Sequence, residues 1–442
     1  MDRDKDYIIK LSHEKNVKFI KLWFTDILGM LKSFTITIDE LEDALCEGIR
    51  FDGATLGGFI RTNEHEMIAL PDASTFQILP WRPNEDSVAR MFCDIYTSDM
   101  KHYEEDSRYI LRKTLKAASD AGFTFYTGPE IEFFFFKSTE KPELLDKGGY
   151  FDLTPLDLAA DYRRMTVLTL EKMGINVISS HHEGAHSQHE IDLRHEDALT
   201  TADNIMTFRI VAKEIAQVNN IYASFMPKPL SYQNGSGMHL HLSLFDKDDN
   251  NAFFSTKDKN NLSDTAKHFI AGLLTYVPEF TAITNQWSNS YKRFVYGHEA
   301  PTHISWSNCL NSALIRIPEM RKEKPDSMRI ELRNPDPSCN PYLVFSAILA
   351  AGMDGINNKL ELEPALEDLQ NNSKIADPAK LGCKKLPSHL SEALLNLQKS
   401  DFMKKTLGTK VIEKFIENKV LEIAEQNSYV TDYDIMKYYP LL

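Results

Sequence analysis

The chain has 442 residues, and at roughly 150 residues per domain it is expected to form two or three domains with a sizeable core. Its 50 Lys and Arg residues stand against 64 Asp and Glu residues, which gives a formal net charge of -14. This acidic balance argues against nucleic acid or an anionic membrane as a partner, so any anionic substrate must be attracted by local arginines or by a metal ion.

The 5 cysteines are scattered along the chain, and none forms a Cys-x-x-Cys pair. They fit neither a disulfide scaffold nor a zinc site and are typical of a protein in a reducing compartment. The charged N-terminal residues lead into no apolar signal-type run, and no later stretch is long and apolar enough to span a bilayer. We therefore expect a soluble, cytoplasmic protein.

Residues 1–103 are predicted to form a small α+β domain. Alternating apolar residues over 17–36 predict two strands joined at a turn over 26–29. A helix is predicted over 41–47, and a Gly-rich loop follows it over 51–58. Two further strands are predicted around 75–79 and 88–95.

Residues 104–442 are predicted to form a second, larger domain. Apolar residues at helical spacing recur through it, and the charged, Asn- and Pro-rich region 361–387 is predicted to be a surface excursion. The predicted helices cover residues 107–121, 159–173, 202–218, 265–283, 341–359 and 390–426.

The stretch from Gly128 to Lys137 sets two acids into an otherwise apolar strand. Residues two apart on a strand point to the same face, so Glu130 and Glu132 are expected to stand side by side. Holding two carboxylates together costs on the order of several kcal/mol unless a cation or a proton neutralises them. A metal ion is the first hypothesis for this strand.

Three further strands alternate polar and apolar residues in the same way. A half-solvated antiparallel strand is the more common explanation for any one of them alone. Together they supply acids and a histidine suited to two hard ions such as Mg²⁺ or Mn²⁺, and metals beside arginines indicate phosphoryl chemistry. The polar residues of these segments are Glu183, Glu190, Asp192, Arg194, His239, His241, Ser243, Arg329, Glu331 and Arg333.

The chain carries neither a phosphate loop ending in Gly-Lys-Ser/Thr nor a dinucleotide fingerprint, and the turn Asn234–Gly237 is a weak signal on its own. Several long runs, in order, nevertheless resemble the signature blocks of type I glutamine synthetase, over residues from about 16 to beyond 381. They are GPEIEFF, SHHEGAHSQHEID, FMPKPLSYQNGSGMHLHLSLF, NSYKRFVYGHEAP and RIELRNPDPSCNPYL, with FTDILG and FDGATLGGF nearer the N-terminus.

This resemblance implies an α+β fold with an N-terminal β-grasp domain and a catalytic domain built on a curved antiparallel sheet flanked by helices. It implies ATP-dependent ligation of ammonia to the side chain of L-glutamate through a γ-glutamyl phosphate. It also implies a dodecamer of two hexameric rings, in which the N-terminal domain of one subunit closes the active site of its neighbour.

The resemblance further implies a role for each matching residue, and two Mg²⁺ or Mn²⁺ ions per site. Glu299, in a flap over 296–301, would be the proton acceptor. One metal ion would be bound by Glu132, Glu183 and Glu190, and the other by Glu130, His239 and Glu331. Glutamate would be bound by Asn234, Gly235, Arg293 and Arg333. ATP would contact His241, Ser243 and Arg316, and ammonium would be bound by Asp52, Tyr150 and Glu183.

One position departs from the family pattern, because Asn311 stands where an arginine helps to hold the transferring phosphate. Arg321 or Lys322 is the candidate to replace that charge. Two alternatives stay open: a γ-glutamylamide ligase that uses an amine, and a catalytically weak relative that acts as a binding or regulatory protein, which Asn311 alone supports. Asp52 argues against the first, since amine-using relatives tend to lose that acid.

Overall fold

A computed structural model describes residues 2–60, 66–83, 85–295, 299–320, 323–369 and 378–442, with side chains from residue 5 onward. Residues 296–298 of the predicted flap, and both Arg321 and Lys322, lie outside the described residues. Within the described part of the chain, no helix has the length and hydropathy needed to cross a membrane.

The strands of the described residues belong to two sheets. In chain order they are β1 (Val17–Thr25), β2 (Leu31–Thr37), β3 (Ile49–Phe51), β4 (Met67–Pro71), β5 (Gln77–Ile78), β6 (Ser87–Thr97), β7 (Thr124–Phe136), β8 (Val177–His182), β9 (Gln188–Leu193), β10 (Glu196–Asp197), β11 (Tyr222–Ser224), β12 (Met238–Phe245), β13 (Trp306–Ser307), β14 (Ile315–Arg316) and β15 (Ile330–Leu332).

The helices pack mainly around the second of these sheets. In chain order they are α1 (Asp2–Glu14), α2 (Leu41–Glu47), α3 (Ser107–Asp120), α4 (Ala160–Lys172), α5 (Ala198–Val218), α6 (Asp264–Thr284), α7 (Pro341–Asn358), α8 (Leu366–Leu369), α9 (Leu390–Lys399), α10 (Asp401–Leu407), α11 (Thr409–Ser428) and α12 (Asp432–Tyr438).

The first sheet has the order β2-β1-β6-β4-β3, with β5 beside β6, and only the β1–β6 pair is parallel. The predicted hairpin is confirmed, and the Asp26 carboxylate holds its turn by accepting hydrogen bonds from the backbone N–H groups of Leu28 and Met30. The strand predicted over 75–79 is shorter in the structure than expected. Its first residue belongs to a 3-10 turn capped by Asp72, so only β5 remains extended.

The second sheet has the order β13-β14-β15-β12-β7-β9-β8, with β10 and β11 also beside β7. It is antiparallel except for the β13–β14 pair. One face of β7 buries Ile131, Phe133 and Phe135 in the main core, while Glu130 and Glu132 point the other way. The alternation read from the sequence is therefore confirmed, and its polar face becomes the floor of a cavity.

The helices that cover the apolar face were largely predicted, because their apolar residues repeat at helical spacing. Helices α3 and α5 pack on β7, and α7 packs on α3 and α6. Helix α5 begins four residues before its predicted start, where Asp197 caps it through the N–H groups of Leu199 and Thr200. At the α6–α7 crossing, a Cβ on Gly272 would lie 2.2 Å from the carbonyl oxygen of Ala351, so the close approach requires glycine.

A buried ion network joins the N-terminal domain to helices α3 and α5. The Arg108 guanidinium, on α3, lies 2.6 Å from Asp94 on β6, 2.9 Å from Asp72 just after β4, and 2.8 Å from Asp203 on α5. Tyr342 also donates a hydrogen bond to Asp203, over 2.6 Å. Because every partner is tied to the same buried cation, the network fixes the first sheet against the helices that support the cavity.

Candidate active site

The polar face of the second sheet forms the floor of a cavity of 770 Å³. Strands β7, β8, β9 and β12 contribute to it, together with the loops that follow β11 and α6. Most of the predicted site residues meet here although they come from distant parts of the chain. Those that line the cavity are Glu130, Glu132, Tyr150, Glu183, Glu190, Asn234, Gly235, His239, Arg293, Glu299, Arg316 and Arg333.

Glu130, His239 and Glu331 form the first group that can hold a metal ion, since one ligand atom from each lies within 4.8 Å of the others. The His239 Nδ1 atom is 3.3 Å from a Glu130 oxygen and 3.8 Å from a Glu331 oxygen. Burial, with the positive charge of Arg333, lowers the pKa of His239 to about 4, so its imidazole is neutral as a metal ligand must be. Burial alone would raise the pKa of Glu130, but hydrogen bonds from His239 and His241 outweigh it and lower that pKa.

The second group includes His181, a residue for which the sequence predicted no role. His181 lies 3.8 Å from a Glu183 oxygen and 3.6 Å from a Glu190 oxygen, and the three form a compact triad. Glu132, the predicted third ligand, faces Glu190 across the β7–β9 pair. The signal for His181 was present in the sequence, because it lies two positions before Glu183 and so shares its face at the end of β8.

Nearby positive charge compensates the carboxylates of this second group only in part, since Arg293, Arg333 and His181 lower their pKa values by less than burial raises them. Burial raises the pKa of Glu132 to about 8, and the nearby Glu183 carboxylate adds to the rise. Burial and the charge of Glu132 raise the pKa of Glu190 well above its usual range, and burial also raises the pKa of Glu183. Oxygen ligands that repel one another in this way fit a hard divalent cation, which would remove the repulsion.

Three neighbouring arginines supply positive charge on the side of the cavity nearest Glu331. Arg316 lies 2.5 Å from Glu331, and Arg333 donates to the same carboxylate, so two guanidinium groups neutralise Glu331. Arg293 donates to the backbone carbonyls of residues 333, 334 and 335, which fix its guanidinium at the edge of the sheet. Asn311 also lines this side, so the position where an arginine was expected does face the cavity.

The Gly-rich turn at 234–237 has a structural reason for its glycines. A Cβ on Gly235 would lie 2.4 Å from the carbonyl oxygen of Pro227, and a Cβ on Gly237 would lie 2.5 Å from the Arg293 guanidinium. The turn also positions Glu132, which accepts hydrogen bonds from the Gly237 N–H at 2.9 Å and from the Gln188 side chain at 2.8 Å. Gln188 was not predicted, and only the fold brings it to Glu132.

Four predicted residues do not line this cavity. Glu331 is fully buried directly behind Arg316, and His241 and Ser243 lie farther along β12, where the His241 Nε2 atom is 2.6 Å from Glu130. Asp52 is exposed on the loop of the N-terminal domain and is not among the described residues that line the cavity. The roles of these residues stay predictions.

The cavity mouth is formed by Glu299 and Tyr150. Glu299 is exposed and accepts a hydrogen bond from the Asn234 amide at 3.3 Å. Tyr150 is 60% exposed and belongs to a loop that also exposes Phe151 and Leu153. These side chains give the cavity an exposed apolar border.

Behind β8 and β9, Asp146, His182 and His189 form a third acid–histidine group. It differs from the other two because most of its polar atoms already bind protein groups, although the buried His189 Nε2 atom has no hydrogen-bond partner among the described residues. Asp146 accepts hydrogen bonds from His182 and from the Ser187 N–H, both at 3.0 Å, and the Arg163 guanidinium contacts His189 Nδ1 at 2.9 Å. The group therefore supports the turn that carries Glu183 rather than offering a metal site.

Comparison with known proteins gives the same family over both domains. Residues 16–98 match "Glutamine synthetase, beta-Grasp domain", and residues 104–438 match "Glutamine synthetase, catalytic domain". A protein named glutamine synthetase from Mycolicibacterium smegmatis is 47% identical over 447 residues, covering 100% of both chains. Another of that name from Thermotoga maritima is 45% identical over 435 residues, or 98% of each chain.

Solved structures share the fold over the same extent. One titled "CryoEM Plasmodium falciparum glutamine synthetase" superposes with a TM-score of 0.87 at 25% identity and covers 98% of each chain. Another, titled "GmaS/ADP complex-Conformation 1", has a TM-score of 0.88 at 26% identity, covering 98% of this chain and 99% of the other. The mixed α+β fold predicted from the sequence, with its β-grasp domain, is confirmed.

Proposed function

The chain belongs to the glutamine synthetase family, and from that premise we propose how its residues carry out the ATP-dependent ligation of ammonia to L-glutamate. The glutamate side-chain carboxylate attacks the γ-phosphate of ATP, which forms a γ-glutamyl phosphate and releases ADP. Ammonia then attacks the acyl carbon, phosphate leaves, and the added nitrogen loses a proton to give L-glutamine. The observation that carries this proposal is the convergence of two acid–histidine groups and three arginines on one cavity.

Two divalent cations, Mg²⁺ or Mn²⁺, would be held by the residues assigned above, and they would supply positive charge beside the phosphates of ATP. The first site comprises Glu130, His239 and Glu331, and the second comprises Glu132, Glu183 and Glu190. His181 lies close enough to Glu183 and Glu190 to orient their carboxylates. The only partly neutralised carboxylates of the second group support this assignment.

The substrates would lie between the cations and the arginines. Arg333, Asn234 and Gly235 line the side of the cavity where glutamate is proposed to bind, and Arg293 is fixed directly behind the glycine turn. Arg316 would face the transferring phosphate, where fixed positive charge is worth most because charge develops on that group during transfer. For ATP itself, His241 and Ser243 remain the proposed contacts on β12.

Ammonium is proposed to enter at the mouth of the cavity, where Glu183, Tyr150 and Glu299 lie. Asp52 would complete this pocket from the neighbouring subunit, which agrees with its exposed position outside the cavity of its own chain. Glu299 would accept the proton that the nitrogen loses. General-base catalysis of this kind contributes roughly 10²- to 10⁴-fold in rate.

We also propose a homo-oligomer, specifically a dodecamer of two hexameric rings with active sites between subunits. The exposed loop around Tyr150 and the apolar C-terminal segment support it, since a monomer rarely leaves such surface uncovered. A cytoplasmic location is proposed as well, and the free cysteines support it. The exposed apolar residues of the C-terminal segment include Tyr429, Val430, Tyr433, Ile435, Met436, Tyr439, Leu441 and Leu442.

One assay tests the function and separates it from the alternatives. Phosphate release from ATP is measured with purified protein, Mg²⁺ and glutamate, with ammonium or each of a panel of primary amines as acceptor. We expect turnover that depends on ammonium and yields glutamine. Preference for an amine would instead indicate a γ-glutamylamide ligase, and absence of turnover with every acceptor would leave a binding protein. The same assay on Asn311→Arg reports whether the missing arginine limits phosphoryl transfer.

A further inference from the structure

We propose that Asn418, on α11, is a positioning residue for the loop that carries Asp52. Residues 52–60 are called the Asp52 loop. Each subunit would hold this loop against its own C-terminal helix and present it, already shaped, to the neighbouring subunit. The inference rests on the proposed function, in which Asp52 completes the neighbour's ammonium site.

The side-chain amide of Asn418 clamps the far end of the loop by two hydrogen bonds. Its Oδ1 atom accepts from the Phe59 N–H at 2.8 Å, and its Nδ2 atom donates to the Gly57 carbonyl at 2.8 Å. The same Nδ2 atom donates to the backbone carbonyl of Lys414 within α11, also at 2.8 Å. Asn418 is only 1% exposed and its bond to Gly57 is buried, so breaking the clamp would leave the Gly57 carbonyl without a partner and away from water.

The shape of the loop depends on this contact. Gly58, between the two clamped residues, has a φ of 84°, and a Cβ there would lie 2.8 Å from the Asn418 oxygen. At the near end, the Asp52 carboxylate caps a short turn by accepting from the Ala54 N–H at 2.9 Å. A third tie joins the Ile27 N–H to the Leu56 carbonyl at 3.0 Å. The loop is therefore fixed from both domains of its own chain.

The helix that clamps the loop also supports the chain's own cavity. Glu422, one turn after Asn418, accepts from the Ser288 N–H at 2.8 Å, just before the 3-10 helix that ends at Arg293. The Lys419 ammonium lies 3.4 Å from the centroid of the Trp287 ring and 3.0 Å from Glu422. Helix α11 thus sets the position of Arg293 in one active site and of the Asp52 loop for the next.

Loss of the clamp should affect ammonium more than the other substrates, because only the Asp52 loop would move. In the assembled full-length enzyme with Mg²⁺, we expect Asn418→Ala to raise the KM for ammonium about tenfold while the KM for glutamate and for ATP stays nearly unchanged. Amide hydrogen exchange of residues 52–60 should become faster. Asn418→Asp should raise the KM for ammonium at least as much, because it still accepts from Phe59 but sets a buried carboxylate oxygen against the Gly57 and Lys414 carbonyl oxygens.

Asn427→Ala is the matched control, since Asn427 is exposed near the end of the same helix and should behave as the wild type. An unchanged ammonium KM in Asn418→Ala, or an equal rise in all three KM values, would overturn the positioning role. If Asn418→Ala does not assemble, Asn418→Asp decides by the same criteria. A wild-type enzyme without ammonium-dependent turnover would instead overturn the proposed function.

Mixed oligomers test whether the clamp acts within the chain that donates the loop. Subunits carrying Glu190→Ala keep a normal loop, and subunits carrying Asp52→Ala keep a normal cavity. When the two are co-expressed, activity arises where an Asp52→Ala cavity meets the loop of a Glu190→Ala neighbour. Adding Asn418→Ala to the Glu190→Ala chain should raise the ammonium KM, and adding it to the other chain should not. The reverse pattern, or equal effects, would contradict the proposal.

Discussion

Single residues of the cavity differ in how far their charge is neutralised by the protein itself. Glu331 is held by Arg316 and Arg333, whereas Glu132 and Glu190 face each other across two strands with no adjacent cation strong enough to keep their pKa values low. The protein therefore neutralises Glu331 with its own arginines, whereas Glu132 and Glu190 keep raised pKa values. The two groups therefore differ more in how far the protein compensates their charges than in the types of residue that form them.

The proposed proton acceptor, Glu299, can be tested by substituting this one residue. Glu299→Gln keeps the shape and the contact with Asn234 but removes the base, so kcat for amide formation should fall by roughly 10²- to 10⁴-fold. Mg²⁺ affinity, measured by calorimetry, should stay unchanged because Glu299 belongs to neither metal group. Glu319→Gln, at an exposed position, is the control. Normal turnover in Glu299→Gln would remove this residue as the base.

Among the elements, β7 organises the site because it separates the two metal groups. Glu130 joins His239 and Glu331 on one side, and Glu132 faces Glu190 on the other. Their spacing of two residues places the side chains on one face, roughly 6.6 Å apart along the strand. The strand therefore lies between the two proposed ion sites, and the sequence pattern alone did not distinguish this arrangement from two ligands of one ion.

The raised pKa of Glu132 predicts that metal binding releases protons. The carboxyl has a pKa of about 8, so it is mostly protonated at neutral pH and must lose its proton to bind Mg²⁺. Calorimetry in two buffers of different ionisation enthalpy should show proton release at about pH 7 and little at about pH 10, with affinity rising over that range. Glu132→Gln should release fewer protons. A proton count that does not depend on pH would contradict this assignment.

In the metal-free protein, the raised pKa of Glu132 lowers folding stability as pH rises, whereas metal affinity increases with pH. Because the folded-state pKa of Glu132 lies above its usual 4.5, the folded state binds more protons than the unfolded chain between those two values. Without metal, this group makes the fold less stable as pH rises from 4.5 to about 8. Bound Mg²⁺ removes that penalty, so the stabilisation by Mg²⁺ should grow with pH.

In the whole molecule, the two domains are joined by charge as well as by apolar packing. Arg108 is buried among Asp72, Asp94 and Asp203, whereas Arg112 contacts the first two from a partly exposed position. Removing a buried partner leaves carboxylates uncompensated, which costs far more than losing an exposed one. The two arginines, one helical turn apart, are therefore a matched pair for measuring what the domain junction contributes.

We expect Arg108→Ala to lower the free energy of unfolding by about 3 to 5 kcal/mol, and Arg112→Ala by about 1 kcal/mol or less. Urea denaturation of both variants and the wild type, at the same protein concentration, measures the difference. Since the Asp52 loop belongs to the domain that this network anchors, Arg108→Ala should also weaken ammonium binding. Equal effects of the two substitutions would show that burial does not govern this network.

Much of this architecture followed from local patterns. Alternation along β7 predicted the side-by-side glutamates, helical spacing predicted α3, α4, α6 and α7, and the long family-like runs predicted the fold and the reaction. These features depend on neighbours within a few residues, which is why a single sequence carries them.

Other features were decided only by the tertiary structure. The place of His181 beside Glu190, the Gln188 contact to Glu132 and the network around Arg108 join segments that local patterns cannot relate. The clearest case is the clamp on the Asp52 loop, whose partners Phe59 and Asn418 are 359 residues apart. The sequence by itself determined which residues can do the chemistry, and the folded chain decided which of them meet, because burial and hydrogen-bond geometry arise only when distant segments pack together.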